Sequence, residues 1–257
     1  MIEFDQVRRS YGDRVAVECL NLRVAAGELY SLLGHNGAGK TTTLKLLVGL
    51  LRPESGSIRV GGYDVVAEPR LAASLVGYVP DQPYLYEKLT GREFLQFVAA
   101  MHGLDATHTS RVIDREIERF ELADFADELT ERYSHGMKQR TVFAAAMLNS
   151  PRALILDEPL VGLDPQSIRL VKDLLCAEGR AGMCVLMSTH TLAAAEEISH
   201  RVGIMDHGRL LFDGTIAELR ERFPGTHLSL ESMYLAMTET TPRAAGLVDP
   251  AAAANST

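Results

Sequence analysis

Residues Gly34-His35-Asn36-Gly37-Ala38-Gly39-Lys40-Thr41-Thr42 contain the pattern G-x-x-x-x-G-K-[ST]. The residues on either side decide what that pattern means. Glu28 to Leu33 reads as a buried strand, and Thr43 to Leu51 as a helix with apolar residues on most faces. A glycine-rich turn joining such a strand to such a helix is a phosphate-binding loop. Glycines let the backbone curl so that successive N–H groups converge on an anion, and the helix points its positive end at the same place. Lys40 is placed to reach the β- and γ-phosphates of a nucleoside triphosphate, and the Thr41 hydroxyl to ligate Mg²⁺. This stretch confines the chain to an α/β core with a phosphate site at a strand's carboxyl end.

Composition sets outer limits. The chain has 257 residues, 46% hydrophobic and 23% charged, enough for a sizeable core in one large domain or two lobes sharing one. A net charge of −8 disfavours a general nucleic-acid binder. Cys19, Cys176 and Cys184 show no C-x-x-C spacing and read as small buried hydrophobes in a reducing compartment. Met1 to Asp5 lacks the basic and apolar regions of a signal peptide, and no apolar run approaches the roughly 18 residues of a membrane span. The expectation is a soluble, cytoplasmic protein that reaches any membrane through a partner.

Along the chain, Ile2 to Val7 and Val15 to Val24 read as strands separated by the turn Tyr11-Gly12-Asp13. Taken alone, Tyr11 reads as a half-buried tyrosine under a loop. Ser57 to Val60 and Leu75 to Val79 read as further strands, the second ending at Pro80-Asp81-Gln82-Pro83. From about Thr90 to Ser134 the chain turns helical and acidic. Thr90 to Glu93 forms a capping box before a helix whose inner face would carry Phe94, Phe97, Val98 and Met101. A second helix is expected from about Thr109 to Phe120, with Val112, Ile113, Ile117 and Phe120 inward, and a third from Ser134 to Leu148. Ala153 to Leu156 is a four-residue apolar strand ending in Asp157-Glu158, whose carboxylates point toward the phosphate site if the sheet is parallel. In isolation such a pair is as often a helix N-cap. Asp164-Pro165 caps the next helix. Val185 to Ser188 is another short strand, followed by Thr189-His190. Arg201 to Met205 and Leu210 to Phe212 make a hairpin, Thr215 to Glu218 a second capping box, and the chain beyond about Thr238 reads as a disordered tail.

Six motifs in order and spacing resemble the ATP-binding subunits of ABC transporters: Gly34 to Thr42, Gln82, Tyr133 to Arg140, Leu154 to Glu158, Leu163-Asp164 and His190. The resemblance covers Ile2 to about Phe212. It implies a P-loop NTPase core with an inserted helical lobe, about residues 84–150, and an N-terminal antiparallel β subdomain, together making one ATP-binding domain over 1–237 with 238–257 as a tail. It implies that Gly34, Asn36, Gly37, Ala38, Gly39, Lys40, Thr41 and Thr42 hold the phosphates of ATP, and that Asp157, Gln82 and Thr41 serve Mg²⁺. Glu158 becomes the general base for water, a role worth roughly 10²–10⁴-fold in rate. Gln82 matches the glutamine at the hinge of the helical lobe, His190 the histidine that touches the γ-phosphate, and Tyr11 the aromatic that stacks on adenine, a contact worth about 1–3 kcal/mol by analogy with base stacking elsewhere. On the residues alone, Gln82 and His190 would be surface and loop residues.

The signature departs from the family form Leu-Ser-Gly-Gly-Gln and reads Tyr133-Ser134-His135-Gly136-Met137. Ser134 and Gly136 retain the hydroxyl and N–H that reach a γ-phosphate from a helix start, while His135 and Met137 replace a glycine and a glutamine. Such variants, and the segment Leu89 to Phe94, resemble exporters of the daunorubicin-resistance type. In the family Ser134 faces the phosphate loop of a second subunit, and Ser134, Gly136 and Asp164 count among the residues that bind ATP, so the resemblance implies a homodimer, or a heterodimer with a related ATPase subunit, and an integral membrane permease as partner. The surface after Gln82 and the helical lobe would dock that permease. Soluble relatives acting on ribosomes usually carry two ATPase units, and those acting on DNA carry a large insertion before the signature. Here there is one unit, with only about ninety residues between Lys40 and Ser134. Intact Glu158 and His190 argue against a regulator that does not hydrolyse ATP.

Overall fold

The computed structural model describes residues 1–223 and 228–239. In chain order the elements begin with strands β1 (Ile2–Tyr11), β2 (Arg14–Val24) and β3 (Leu29–Leu33), then helix α1 (Lys40–Leu47), β4 (Ser55–Val60), β5 (Tyr63–Asp64), α2 (Pro69–Ser74) and β6 (Val76–Val79). Helices α3 (Gly91–Met101), α4 (Ala106–Arg119) and α5 (His135–Met147) intervene before β7 (Ala153–Asp157). The chain continues as α6 (Pro165–Arg180), β8 (Cys184–Thr189), α7 (Leu192–Ile198), β9 (Arg201–Asp206), β10 (Arg209–Gly214), α8 (Ile216–Glu221) and α9 (Leu230–Glu239).

Two sheets form. One is antiparallel, in the order β2-β1-β4-β5; the other has the order β10-β9-β3-β8-β7-β6, parallel except for the β9–β10 hairpin. Strand β3 is buried on both faces, so its five residues are apolar or small. Its alternate side chains enter different cores: Leu29 and Leu33 join the cluster shared with the helices of the lobe, while Tyr30 and Leu32 join the one under the antiparallel sheet. Strands β7 and β8 divide in the same way, Leu154 and Leu156 against Ala153 and Ile155, and Val185 and Met187 against Cys184 and Leu186. This is the period-2 signature of a central parallel sheet covered on both sides.

The parallel register sets the site. Leu33 pairs with Thr189 and Ile204, and Asp157 pairs with Ser188. The phosphate loop after β3, Glu158 after β7, His190 after β8 and Asp206 at the end of β9 therefore emerge along one edge of the sheet, where α/β folds bind ligands.

Three expectations change, and one element was not expected. Helix α3 buries Gly91, Phe94, Leu95 and Ala99, leaving Phe97 and Met101 exposed. The reason is a rotation of the apolar stripe toward α4 and α5, whose Ile113, Ile117 and Phe143 occupy the core. Cys19 is exposed, in a β2 irregularity with φ of 47°, and Cys176 is half-buried, so only Cys184 is the buried hydrophobe expected of all three. Thr238 and Glu239 belong to α9, which buries Leu230 and Met233 against the core, so the boundary of the tail moves past them; residues 240–257 lie outside the described residues. Helix α2 was not legible in the sequence: its one buried side chain is Ala72.

Candidate functional site

The loop between β3 and α1 encloses an open cavity of about 450 Å³, lined by Tyr11, Arg14, His35, Asn36, Gly37, Gly39, Lys40, Thr41, Thr42, Asp81 and Glu158. Gly39 is required by its geometry. It has φ of 109°, and a Cβ there would stand 2.2 Å from the Ala16 carbonyl oxygen. Gly34 and Ala38, also expected at the phosphates, are buried, Gly34 tight against the Met205 carbonyl and the Ala38 side chain. A larger cleft of about 630 Å³ lies at the amino ends of the central strands, lined by Met1, Arg119, Arg152 and Glu178, and holds none of the expected site residues.

Lys40 is nearly buried. Its ammonium donates to the carbonyl oxygens of Gly34 at 2.6 Å and His35 at 3.3 Å, and lies 3.4 Å from Glu158 Oε1. Glu158 Oε2 accepts from the His190 main-chain N–H at 3.2 Å and lies 2.9 Å from His190 Nδ1. A cation and an imidazole therefore hold one carboxylate between them. The Glu158 backbone has φ of 49°, costly for a residue with a side chain. Its N–H donates to the main-chain and side-chain oxygens of Ser188 at 3.1 and 3.2 Å, which holds that conformation.

Asp157 is fully buried. Its Oδ1 accepts from Thr41 Oγ1 at 3.1 Å and from Ser188 Oγ at 2.5 Å, whereas Oδ2 is buried with no partner. Burial pushes its carboxyl above the usual range, against the pull of those two hydrogen bonds, and the negative charges of Asp81 and Glu158 push the same way. A buried carboxylate oxygen with nothing to accept, next to a threonine hydroxyl, suits a hard divalent cation such as Mg²⁺.

Gln82 and its neighbour Asp81 are both exposed, but Asp81 lines the cavity and lies near enough for its charge to be felt at Asp157. Of these two neighbours, Asp81 is the one among the residues lining the cavity. The sequence offered no means of choosing between adjacent polar residues in a Pro-bounded loop. Arg14, also missed, donates to the Gly37 carbonyl oxygen at 3.2 Å from the antiparallel sheet. Tyr11 stands at the rim with the Arg9 guanidinium over its ring at 5.4 Å. Ser134 caps α5, its hydroxyl accepting from the Met137 N–H at 3.3 Å. Gly136 faces Leu163 and Asp164 of its own chain, and among the described residues neither signature residue hydrogen-bonds the phosphate loop. Asp164 caps α6, accepting from the N–H groups of Gln166 and Ser167, both at 3.0 Å, and from Ser167 Oγ at 2.6 Å. His135 Nε2 lies 3.1 Å from the Val161 carbonyl oxygen, and its ring packs over Gly162, where a Cβ would stand only 3.0 Å from it.

A parallel sheet ending in a phosphate loop, with a base-like carboxylate and an imidazole across from its lysine, defines a nucleoside triphosphatase of the phosphate-loop class. Comparison with known proteins narrows this further. The family model for ABC transporters matches residues 17–161. A daunorubicin resistance ATP-binding protein of Streptomyces coeruleorubidus is 37% identical over 229 residues, 89% of this chain and 72% of that one. A Nod factor export ATP-binding protein of Paraburkholderia xenovorans is 38% identical over 218 residues, 85% and 72% of the two chains. A solved structure of an ATP-binding subunit of an ABC transporter superposes with a TM-score of 0.86 at 32% identity, covering 92% of this chain and 99% of that one. A dimeric ATP-binding cassette holding ADP and Pi, 22% identical, shares the fold with a TM-score of 0.75 over 84% of this chain and 99% of that one. The chain belongs to the ABC transporter family, as an ATP-binding subunit that hydrolyses ATP. Among the described residues no helix is long and apolar enough to cross a membrane.

Proposed function

We propose that this chain is the motor of an exporter, closing in pairs over ATP and pulling on a membrane permease from the cytoplasmic face. The single observation that carries the chemical part is Glu158, held at 3.4 Å from Lys40 and 2.9 Å from His190 at the mouth of the phosphate loop. Phosphate binding exchanges the Glu158 contact of Lys40 for phosphate oxygens, which frees Glu158 for water. Glu158 then takes a proton from the attacking water as its oxygen bonds to the γ-phosphorus. The bond from that phosphorus to the bridging oxygen breaks, and ADP and phosphate leave. His190 orients water and γ-phosphate. Thr41 and Asp157, with its unpartnered Oδ2, are the residues that would hold Mg²⁺, with Asp81 taking the position first given to Gln82. Magnesium, when bound, neutralises charge on the phosphate oxygens. Tyr11 stacks on adenine.

The signature supports pairing. Ser134 and Gly136 open α5 beside Asp164, and by the family resemblance they serve the phosphate loop of a second copy or of a related ATPase subunit. Export rests on the similarity to the daunorubicin-resistance and Nod-factor proteins. The permease surface is the aromatic patch after Gln82: exposed Tyr84 and Tyr86 in edge contact at 5.9 Å, and exposed Phe97 against Tyr86 at 5.2 Å. Exposed contiguous apolar surface marks an interface.

The test is Glu158→Gln. It keeps size and hydrogen bonding, so ATP affinity should persist while hydrolysis falls by roughly 10²–10⁴-fold. The variant should then collect as a dimer with Mg-ATP and return to monomer with ADP, read by light scattering after size exclusion. Hydrolysis at the wild-type rate, with or without the permease, would remove Glu158 from the mechanism.

A further inference from the structure

The turn joining β9 to β10 brings Asp206 and His207 against His35 of the phosphate loop. Asp206 is 4% exposed, and its Oδ1 lies 2.7 Å from His35 Nε2 and 3.8 Å from His207 Nε2. The two imidazoles meet edge to face with centroids 5.6 Å apart, and ligand atoms of all three residues lie within 4.8 Å of one another. The backbone beneath them is fastened on both sides. Gly208 N–H donates to the Ala38 carbonyl oxygen at 2.9 Å, and Glu18 N–H to the Gly208 carbonyl oxygen at 2.8 Å. His207 itself has φ of 45° in this turn.

The His35 ring presents a hydrogen-bonding imbalance. Nδ1 is 2.7 Å from the Asn36 carbonyl oxygen, and Nε2 is 2.7 Å from the Asp206 carboxylate. A neutral imidazole has one N–H and one lone pair, so one of its two nitrogens would face an oxygen with nothing between them. The gap calls for a cation, either a second proton or a metal ion. Donation of Nδ1–H to a main-chain carbonyl is the contact that orients a metal-ligating histidine and leaves Nε2 free for the ion. His207 supplies a second imidazole and Asp206 a carboxylate. Tetrahedral bonds of 2.0–2.1 Å place ligand atoms about 3.3 Å apart, between the two separations seen. Two imidazoles and one carboxylate select a borderline ion such as Zn²⁺ over Mg²⁺, which prefers oxygen alone.

We propose that His35, Asp206 and His207 bind one divalent transition-metal ion of the Zn²⁺ class, pinning the phosphate loop to the β9–β10 turn at a site separate from Thr41 and Asp157. Asn36 and Gly37 follow His35 directly, so occupancy holds the first half of the loop in its phosphate-binding shape.

The experiment is a calorimetric titration of the chelator-stripped, nucleotide-free full chain with ZnCl₂, beside His207→Asn. Asparagine tolerates positive φ, so the turn survives. The expected result is one Zn²⁺ per wild-type chain and an affinity weaker in the variant by roughly tenfold or more. Zn²⁺ should also raise the unfolding midpoint of the wild type alone, since a ligand of the folded state stabilises it. Cysteines and the Glu158–His190 pair are common to both proteins, so the difference reports this site. Equal Zn²⁺ binding by both, or none by the wild type, overturns the proposal and leaves a proton between His35 and Asp206. Should His207→Asn fail to fold by circular dichroism, His35→Gln makes the same comparison.

Discussion

Lys40, Glu158, His190 and Asp157 show how single residues share one electrostatic problem. Two carboxylates stand side by side at the end of β7, which their mutual repulsion opposes. The structure separates their surroundings: Glu158 meets Lys40 and His190, while Asp157 is buried with hydrogen bonds to one oxygen only. Asp81, which lines the cavity with Glu158, adds a third negative charge near Asp157. That charge is unfavourable until a divalent cation arrives, then favourable. Asp81→Asn should raise the Mg²⁺ concentration needed for ATP binding by roughly fivefold, on the order of 1 kcal/mol. Gln82→Ala should leave it unchanged. Fluorescence titration with a nucleotide analogue at varied Mg²⁺ reads both, and the reverse pattern would restore Gln82 to the metal side.

Among the elements, α6 links capping to the site. Asp164 accepts three hydrogen bonds at its N-terminus, and the Ser167 hydroxyl, foremost among them, holds its carboxyl below the usual range. A lowered folded-state value means a stabilising contribution present above the unfolded value of about 3.9 and lost as pH falls through the lower folded one. Asp164→Asn caps equally well without the charge. Its unfolding midpoint should therefore fall less than that of the wild type on acidification below about pH 4, measured by circular dichroism. Parallel acid limbs would show that the charge of Asp164 is irrelevant to the cap. Helix α9 acts at longer range, with Leu230 and Met233 buried in the core shared with α7, the helix that follows His190. Tyr234 of α9 lies against the His35 backbone, with its hydroxyl pushed up mainly by burial.

The whole molecule has a nucleotide edge and an aromatic patch, and the helical lobe joins them. Tyr84, Tyr86 and Phe97 sit where the chain leaves the core for the lobe, just past Asp81 in the cavity. The double substitution Tyr84→Ala with Phe97→Ala removes exposed rings, so folding and ATP affinity should persist. Co-sedimentation with membranes that hold the permease should weaken by more than about tenfold, as for aromatic anchors at interfaces. Undiminished sedimentation would place the docking surface elsewhere.

The sequence by itself determined the phosphate loop, the central strands and the caps at Thr90, Ser134, Asp164 and Thr215, because each rests on contacts within a few residues of the chain. Tertiary structure alone decided which way neighbouring side chains face. It set Asp81 rather than Gln82 along the cavity, put Phe97 and Met101 outside although they share a helix with buried Phe94, and exposed Cys19 at a bulge. It also joined His35 to Asp206 across 171 positions. Such choices depend on the register of β3 against β9 and on how α3 rotates against α4 and α5. A single residue's chemistry does not encode them; the packing of distant elements does.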